Sequence, residues 1–165
     1  MQLKNKILIA YYSMTSHTRR VAELIQNAVG GELASIRTKE TYPSDYEAMV
    51  EQGRREVNEG FLPVLNEFPV DIDACHMIFL GTPVWWYSIA PAMKSFLAGY
   101  DLSGKSIAPF CTHGGSGTAQ SVSDIRSVCP NSTILGSLAV YGSRAENSRG
   151  DVEKWLEQTG ILKNN

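Results

Sequence analysis

Lys6-Ile7-Leu8-Ile9-Ala10-Tyr11-Tyr12 passes straight into Ser13-Met14-Thr15-Ser16-His17-Thr18, after which Val21, Leu24, Ile25 and Ala28 recur at i, i+3, i+4 and i+7. The first run is short and continuously apolar at its centre, as a strand buried on both faces is. The last set is the stripe of an amphipathic helix. Strand, hydroxyl-rich turn and helix in that order open a β-α-β unit.

The same alternation continues outward. Strands are predicted at 6–12, 32–37, 77–82, 106–112 and 133–141, and Met77-Ile78-Phe79-Leu80 is again continuously apolar, so the first and third strands belong mid-sheet. Between them, Ala90, Met93, Phe96 and Leu97 form one helical stripe and Ala119, Val122, Ile125 and Val128 another; Val152, Trp155 and Leu156 form the last. Tyr46, Met49 and Val50 follow a Ser44-x-x-Glu47 capping box. Gly30-Gly31, Gly99, Gly160 and Cys129-Pro130 stand where helices stop. Residues 59–73, with Pro63 and Pro69, read as a long surface connection. The pattern is that of an α/β protein, a parallel sheet with helices on both faces.

Composition narrows the function. At 165 residues the chain suits one domain, 1–165, by the loose rule of about 150 residues per domain. Its 15 basic residues are outnumbered by 17 acidic ones, which speaks against a nucleic-acid binder needing a basic face. The lead-in from Met1 to Lys6 meets an apolar run far short of the roughly 20 residues of a membrane span, so neither signal peptide nor anchor is expected. Cys75, Cys111 and Cys129 lack CxxC spacing and read as buried, reduced thiols of a cytoplasmic protein. His17, His76 and His113 have no paired ligand spacing, so no metal site is expected.

Right-handed crossovers bring the loops after the strands to one edge, where open α/β sheets bind ligands. Three of these loops carry chemistry. Ser13, Thr15, Ser16 and Thr18 place four hydroxyls in six residues at a helix N-terminus, where unpaired amides and the helix dipole attract an anion. Plain capping would need one of them. Without a GxxxxGK[ST] lysine or a GxGxxG run, a monophosphate is expected rather than a longer phosphate chain. Thr82-Pro83-Val84-Trp85-Trp86-Tyr87 offers three consecutive aromatics, either a wall for a planar ring or packing beneath the loop. His113-Gly114-Gly115-Ser116-Gly117 lets backbone amides approach a ligand closely, or is simply a flexible turn. Their joint fall on one edge describes a site for a planar heterocycle with a phosphorylated tail.

With these residues in view, the chain resembles the flavodoxin family from Lys6 to Leu162. The family's Thr/Ser-x-Thr-Gly-x-Thr phosphate loop is matched at its hydroxyl positions by Ser13-Met14-Thr15-Ser16-His17-Thr18, with Ser16 in place of the usual glycine and His17 in place of the common asparagine. The Pro83-Val84-Trp85-Trp86 and Gly114-Gly115-Ser116-Gly117 strings look like those of a bacterial flavodoxin-like branch. The resemblance implies a three-layer, open, doubly wound five-stranded parallel sheet of order 2-1-3-4-5 that binds FMN. It implies that Ser13, Met14, Thr15, Ser16, His17 and Thr18 hold the phosphate. Thr82, Pro83, Val84, Trp85, Trp86 and Tyr87 would line one side of the isoalloxazine, and His113, Gly114, Gly115, Ser116 and Gly117 its pyrimidine edge. No insertion interrupts the fifth strand.

The implied role is a low-potential one-electron carrier, because apolar walls and the nearby phosphate disfavour added negative charge on the ring. Two features favour a rival, an FMN-dependent NAD(P)H:quinone two-electron reductase with Tyr141, Ser143 and Arg144 near the pocket. Pro83 stiffens a loop without glycine, and a net charge of -2 gives a weak field for steering redox partner proteins. A flavin-free receiver-like module is disfavoured, since Ala10-Tyr11-Tyr12-Ser13 carries no acidic cluster.

Overall fold

The chain is described here from a computed structural model, which covers residues 6–162. The lead-in before Lys6, read above as carrying no targeting segment, lies outside the described residues. In chain order the elements are β1 (Lys6–Tyr11), α1 (His17–Val29), β2 (Glu32–Ser35), α2 (Tyr46–Glu59), β3 (Cys75–Trp85), β4 (Ser88–Ile89), α3 (Pro91–Gly99), β5 (Ser106–His113), α4 (Ser121–Val128), β6 (Thr133–Ile134), β7 (Leu138–Tyr141) and α5 (Arg149–Gln158). The sheet runs β2-β1-β3-β5 and ends in β6 and β7, which pair successive stretches of β5. Taking β6 and β7 as one interrupted strand, and leaving aside the short β4, this is the doubly wound order 2-1-3-4-5.

Alternation along the strands sorts the core into two layers. Leu8, Ala10, Ile78, Leu80 and Ile107 pack with Met93, Phe96 and Ile125 from α3 and α4. Ile9, Tyr11, Phe79, Ala108 and Phe110 pack with Val21 and Ile25 of α1 and Val152, Trp155 and Leu156 of α5. Gly81 in β3 sits against the Phe110 ring, where a Cβ would find no room. Cys75, Cys111 and Cys129 are buried free thiols, and burial pushes the Cys111 thiol up to about 11. Among the described residues no helix is long and apolar enough to cross a membrane.

Four elements differ from the sequence reading. The last strand is broken at 135–137. Ile107 pairs Ile134 and Phe110 pairs Leu138, so three steps on β5 oppose four on the other side, a one-residue bulge. The Gly136 carbonyl turns out of the ladder there to accept the Trp155 indole N–H at 2.8 Å. Helix α2 is capped by Asp45, whose Oδ2 accepts the Ala48 N–H at 2.9 Å, and not by Ser44. Its inward face is Met49, Gly53 and Glu56, while Tyr46 is exposed. Helix α4 starts at Ser121, because Ala119 has φ 46° and cannot belong to it. Finally, β3 runs on to Trp85 and turns back as β4, a hairpin where a loop was expected.

Candidate functional site

At the end of β1 the chain turns through 12–16 and enters α1. The Tyr12 N–H donates to the Gly81 carbonyl at 2.9 Å, tying the turn to β3. Ser16 is the N-cap of α1 with φ 72°, a conformation that suits glycine and costs a side-chain residue about 1–2 kcal/mol. This is the position where the resemblance places glycine, so the sequence departs while the backbone conforms. The Ser13 hydroxyl accepts the Arg19 N–H at 3.2 Å, and the Arg20 N–H reaches the Ser16 carbonyl at 3.0 Å. The amides of Thr15, Ser16, His17 and Thr18 have no protein acceptor among the described residues. Four free donors at the positive end of a helix make an anion cradle.

Side chains fix that cradle from behind. Thr18 is buried, and its hydroxyl shares a 2.8 Å hydrogen bond with that of Thr112 on β5. His17 packs over Gly142, which has no room for a Cβ beneath the imidazole. The hydroxyl of Thr15 is left free for a ligand among the described residues, Ser16 is exposed beside it, and Met14 is partly buried and packs on the core.

The second loop is the β3–β4 hairpin. Val84 pairs Ile89 and Trp85 pairs Ser88, leaving Trp86 and Tyr87 as a two-residue turn with φ 50° and 68°. Two positive φ values define the turn that matches strand twist, but Asn and Gly normally fill it. Two aromatic residues there are strained, and strain held by surrounding structure concentrates at functional sites. Here the Tyr87 carbonyl accepts the Gln120 N–H at 2.8 Å, and the Ile89 N–H reaches Asp124 Oδ2 at 3.2 Å. Both rings stand out from the surface, 45% and 63% exposed. Behind them the buried Thr82 hydroxyl accepts the Ala90 N–H and donates to the Pro83 carbonyl, holding the hairpin's base.

Between this hairpin and the third loop lies a cavity of about 460 Å³, lined by Val84, Trp86, Tyr87, Gly114, Gly115 and Ser116. Gly115 has φ 141° and Gly117 φ 64°, so the loop's course depends on residues without a Cβ. His113 sits behind it: its Nδ1 accepts the Gly115 N–H at 3.0 Å, and its ring contacts that of Tyr141 at 4.5 Å between centroids. Partial burial holds the His113 imidazole below its ordinary value. Neither Lys nor Arg lines this slot.

Trp85 is placed elsewhere. Alternation along β3 turns it to the opposite side from Val84 and Trp86, where its ring meets Tyr12 and Tyr42 edge-on at 5.9 and 5.2 Å. A Cβ on Gly53 of α2 would stand 3.2 Å from this ring, a tight contact that the glycine avoids. The cluster closes on Glu56, buried, whose carboxylate accepts the Tyr42 hydroxyl at 2.6 Å and the Gln52 amide at 2.8 Å. Burial and then this carboxylate push both phenols well above their ordinary range. Glu56 and Gly53 escaped the sequence reading because an apolar stripe was sought; their 3–4 spacing with Met49 is the signal that marks the face.

The arrangement fits a phosphorylated planar ring system: amides for the phosphate at one end, aromatic and glycine walls for the ring at the other. The sequence profile described as flavodoxin matches residues 6–159. No curated protein matches the sequence. Among solved structures, the chain is similar to a protein from Bacteroides eggerthii DSM 20697 provisionally described as a flavoprotein, with 27% identity and a TM-score of 0.83 over 96% of this chain and 100% of that one. It shares the fold of a flavoprotein from Lactobacillus acidophilus NCFM in complex with FMN, at 23% identity and TM-score 0.73 over 92% and 98% of the two chains. It also shares the fold of an NADH:FMN oxidoreductase, at 14% identity and TM-score 0.55 over 96% and 92%.

Proposed function

The chain belongs to the flavodoxin family, and from that premise we propose that it binds FMN and serves as a low-potential electron carrier. Bound FMN supplies reversible electron uptake. The residues around it do the rest. The cradle at 15–18 receives the phosphate, Trp86 and Tyr87 stack along the ring, and the 114–116 amides meet its polar edge. Thr18 and Thr82 act behind these contacts, holding the loops in place through Thr112 and Ala90.

One observation carries the carrier reading. The slot is open to solvent beside two exposed aromatics and has no cationic side chain in its lining. An exposed edge suffices for one-electron exchange with a redox partner protein, and the want of a cation disfavours extra negative charge on the ring, which lowers the potential. His113, held neutral by burial near pH 7, adds none.

The reductase reading is favoured by the hairpin. Its turn is pinned through Gln120 and Asp124, so the backbone beside the ring is fixed rather than free to readjust between redox states. Of the residues tied to that reading, Tyr141 stacks near His113, while Ser143 and Arg144 are exposed on the 142–147 turn. Steady-state assays on FMN-loaded protein separate the two. The carrier reading expects slow NAD(P)H oxidation, with or without a quinone, and fast exchange between the reduced protein and a one-electron acceptor. Rapid quinone-dependent NAD(P)H oxidation would establish the reductase instead.

A further inference from the structure

A second cavity, of about 480 Å³, lies over the carboxyl ends of β1 and β2 and has Ser13, Met14 and Ser16 of the phosphate loop in its lining. Three cations line it, Arg19, Arg37 and Lys39, and no carboxylate does. None of the three has a carboxylate within ion-pair distance among the described residues. In a chain of net charge -2 this is a local inversion of sign.

The cations stand on a fixed rail. Leaving β2, the Ile36 N–H donates to the Tyr11 carbonyl at 2.7 Å; beyond it, the Asn66 N–H donates to the Arg37 carbonyl and the Lys39 N–H to the Val64 carbonyl, both at 2.8 Å, around an antiparallel bridge between Thr38 and Leu65. Arg37 and Lys39 flank the bridged Thr38, and both line the cavity. Arg19 comes from the first turn of α1, across the cavity. Like charges held in one concavity repel one another, and an anion among them relieves that repulsion.

Chemistry selects the anion. A carboxylate brings one charge and two oxygens, while a phosphate monoester brings nearly two charges and three acceptor oxygens, matching two guanidinium forks and an ammonium. The cavity is far larger than a phosphate needs and within the range of small-molecule sites. We propose that it binds the phosphate monoester of a second small ligand, a nucleotide or a sugar phosphate, while the FMN ring occupies the slot at 84–87 and 114–116, with which this cavity shares no lining residue. The proposal is independent of the choice between carrier and reductase.

The test uses FMN-saturated protein, titrated with 2′,5′-ADP, glucose 6-phosphate and inorganic phosphate by calorimetry and amide chemical shifts. One equivalent of an organic phosphate is expected to bind and to shift the 37–39 amides. Arg37→Ala and Lys39→Ala should each weaken binding by about tenfold or more and leave FMN affinity unchanged, since neither residue lines the ring slot or supplies an amide of the 15–18 cradle. Tighter binding of 2′,5′-ADP assigns a nucleotide, and tighter binding of glucose 6-phosphate assigns a sugar phosphate. Failure of both to bind, binding of inorganic phosphate only, indifference to both variants, or expulsion of the probe by FMN overturns the proposal. The last result would make this cavity the seat of the FMN phosphate.

Discussion

In the proposed site the 13–18 loop offers the ligand backbone amides, whereas the β3–β4 hairpin offers it side-chain rings, yet both ends hold residues other than glycine at positive φ. At the first end the side chain at that position is incidental: Ser16 could be another residue, provided the amides keep their aim. At the second end the strained residues are themselves the proposed contact surface, because Trp86 and Tyr87 are projected outward by the turn that strains them. The contrast between Trp85 and Trp86 is sharper still. Adjacent in sequence, they serve opposite sides, one at the end of β3 packed toward α2 and the other in the turn, exposed at the ring slot.

Substitutions can break that contrast. The largest effect is expected from Trp85→Ala, which empties the space among Tyr12, Tyr42 and Gly53 and should cost about 3 kcal/mol of stability. A lowered urea midpoint at unchanged slope measures it. If Trp85→Ala instead removes FMN stacking and leaves the midpoint where it was, the assignment of the two tryptophans is reversed. Next, Ser16→Asp places a carboxylate in the amide cradle. Asp tolerates positive φ and caps helices well, so stability should hold while FMN affinity falls by about 100-fold. Riboflavin, which lacks the phosphate, should bind both proteins alike.

Trp86→Ala should weaken FMN by about tenfold and leave the urea midpoint nearly unmoved, the mirror image of Trp85→Ala. Ser16→Gly should gain about 0.5–1 kcal/mol, as relief of the left-handed conformation outweighs the added freedom of the unfolded chain. The smallest effect is one of pH. The folded state holds the His113 imidazole below its ordinary value, so the unfolded chain binds the proton more readily. Its stabilising share is present above about pH 6.5 and is lost as pH falls through the folded value. Urea midpoints between pH 5 and 8 should therefore vary less in His113→Gln.

The turn proposed to hold the phosphate was readable as a strand-to-helix turn because its chemistry is local: hydroxyls crowd the passage between an apolar strand and an amphipathic helix, and short-range geometry follows. The central place of β1 and β3 was readable too, since residues 7–10 and 77–80 are continuously apolar, while the full strand order came with the family resemblance. The ring end was not. An Asn-Gly pair would have announced a hairpin at 86–87, but Trp-Tyr occupies a turn whose backbone those residues disfavour, and tertiary bonds through Gln120 and Asp124 help to hold it. Trp85 looked equivalent to Trp86 until strand pairing extended β3 to include it. On α2, Gly53 and Glu56 are buried for reasons no hydrophobic pattern contains, a ring edge in one case and a tyrosine hydroxyl in the other. The break at 135–137 depends on an indole twenty residues further along, roughly, which no local reading sees.

Amide chemical-shift mapping of an FMN titration tests the assigned seat of the cofactor most directly. One equivalent should saturate the protein, with the largest shifts at Thr15, Ser16, His17 and Thr18, at Trp86 and Tyr87, and at 114–116, and with the 37–39 amides little moved. Large shifts confined to 37–39, or no saturable change at 86–87 and 114–116, would contradict it.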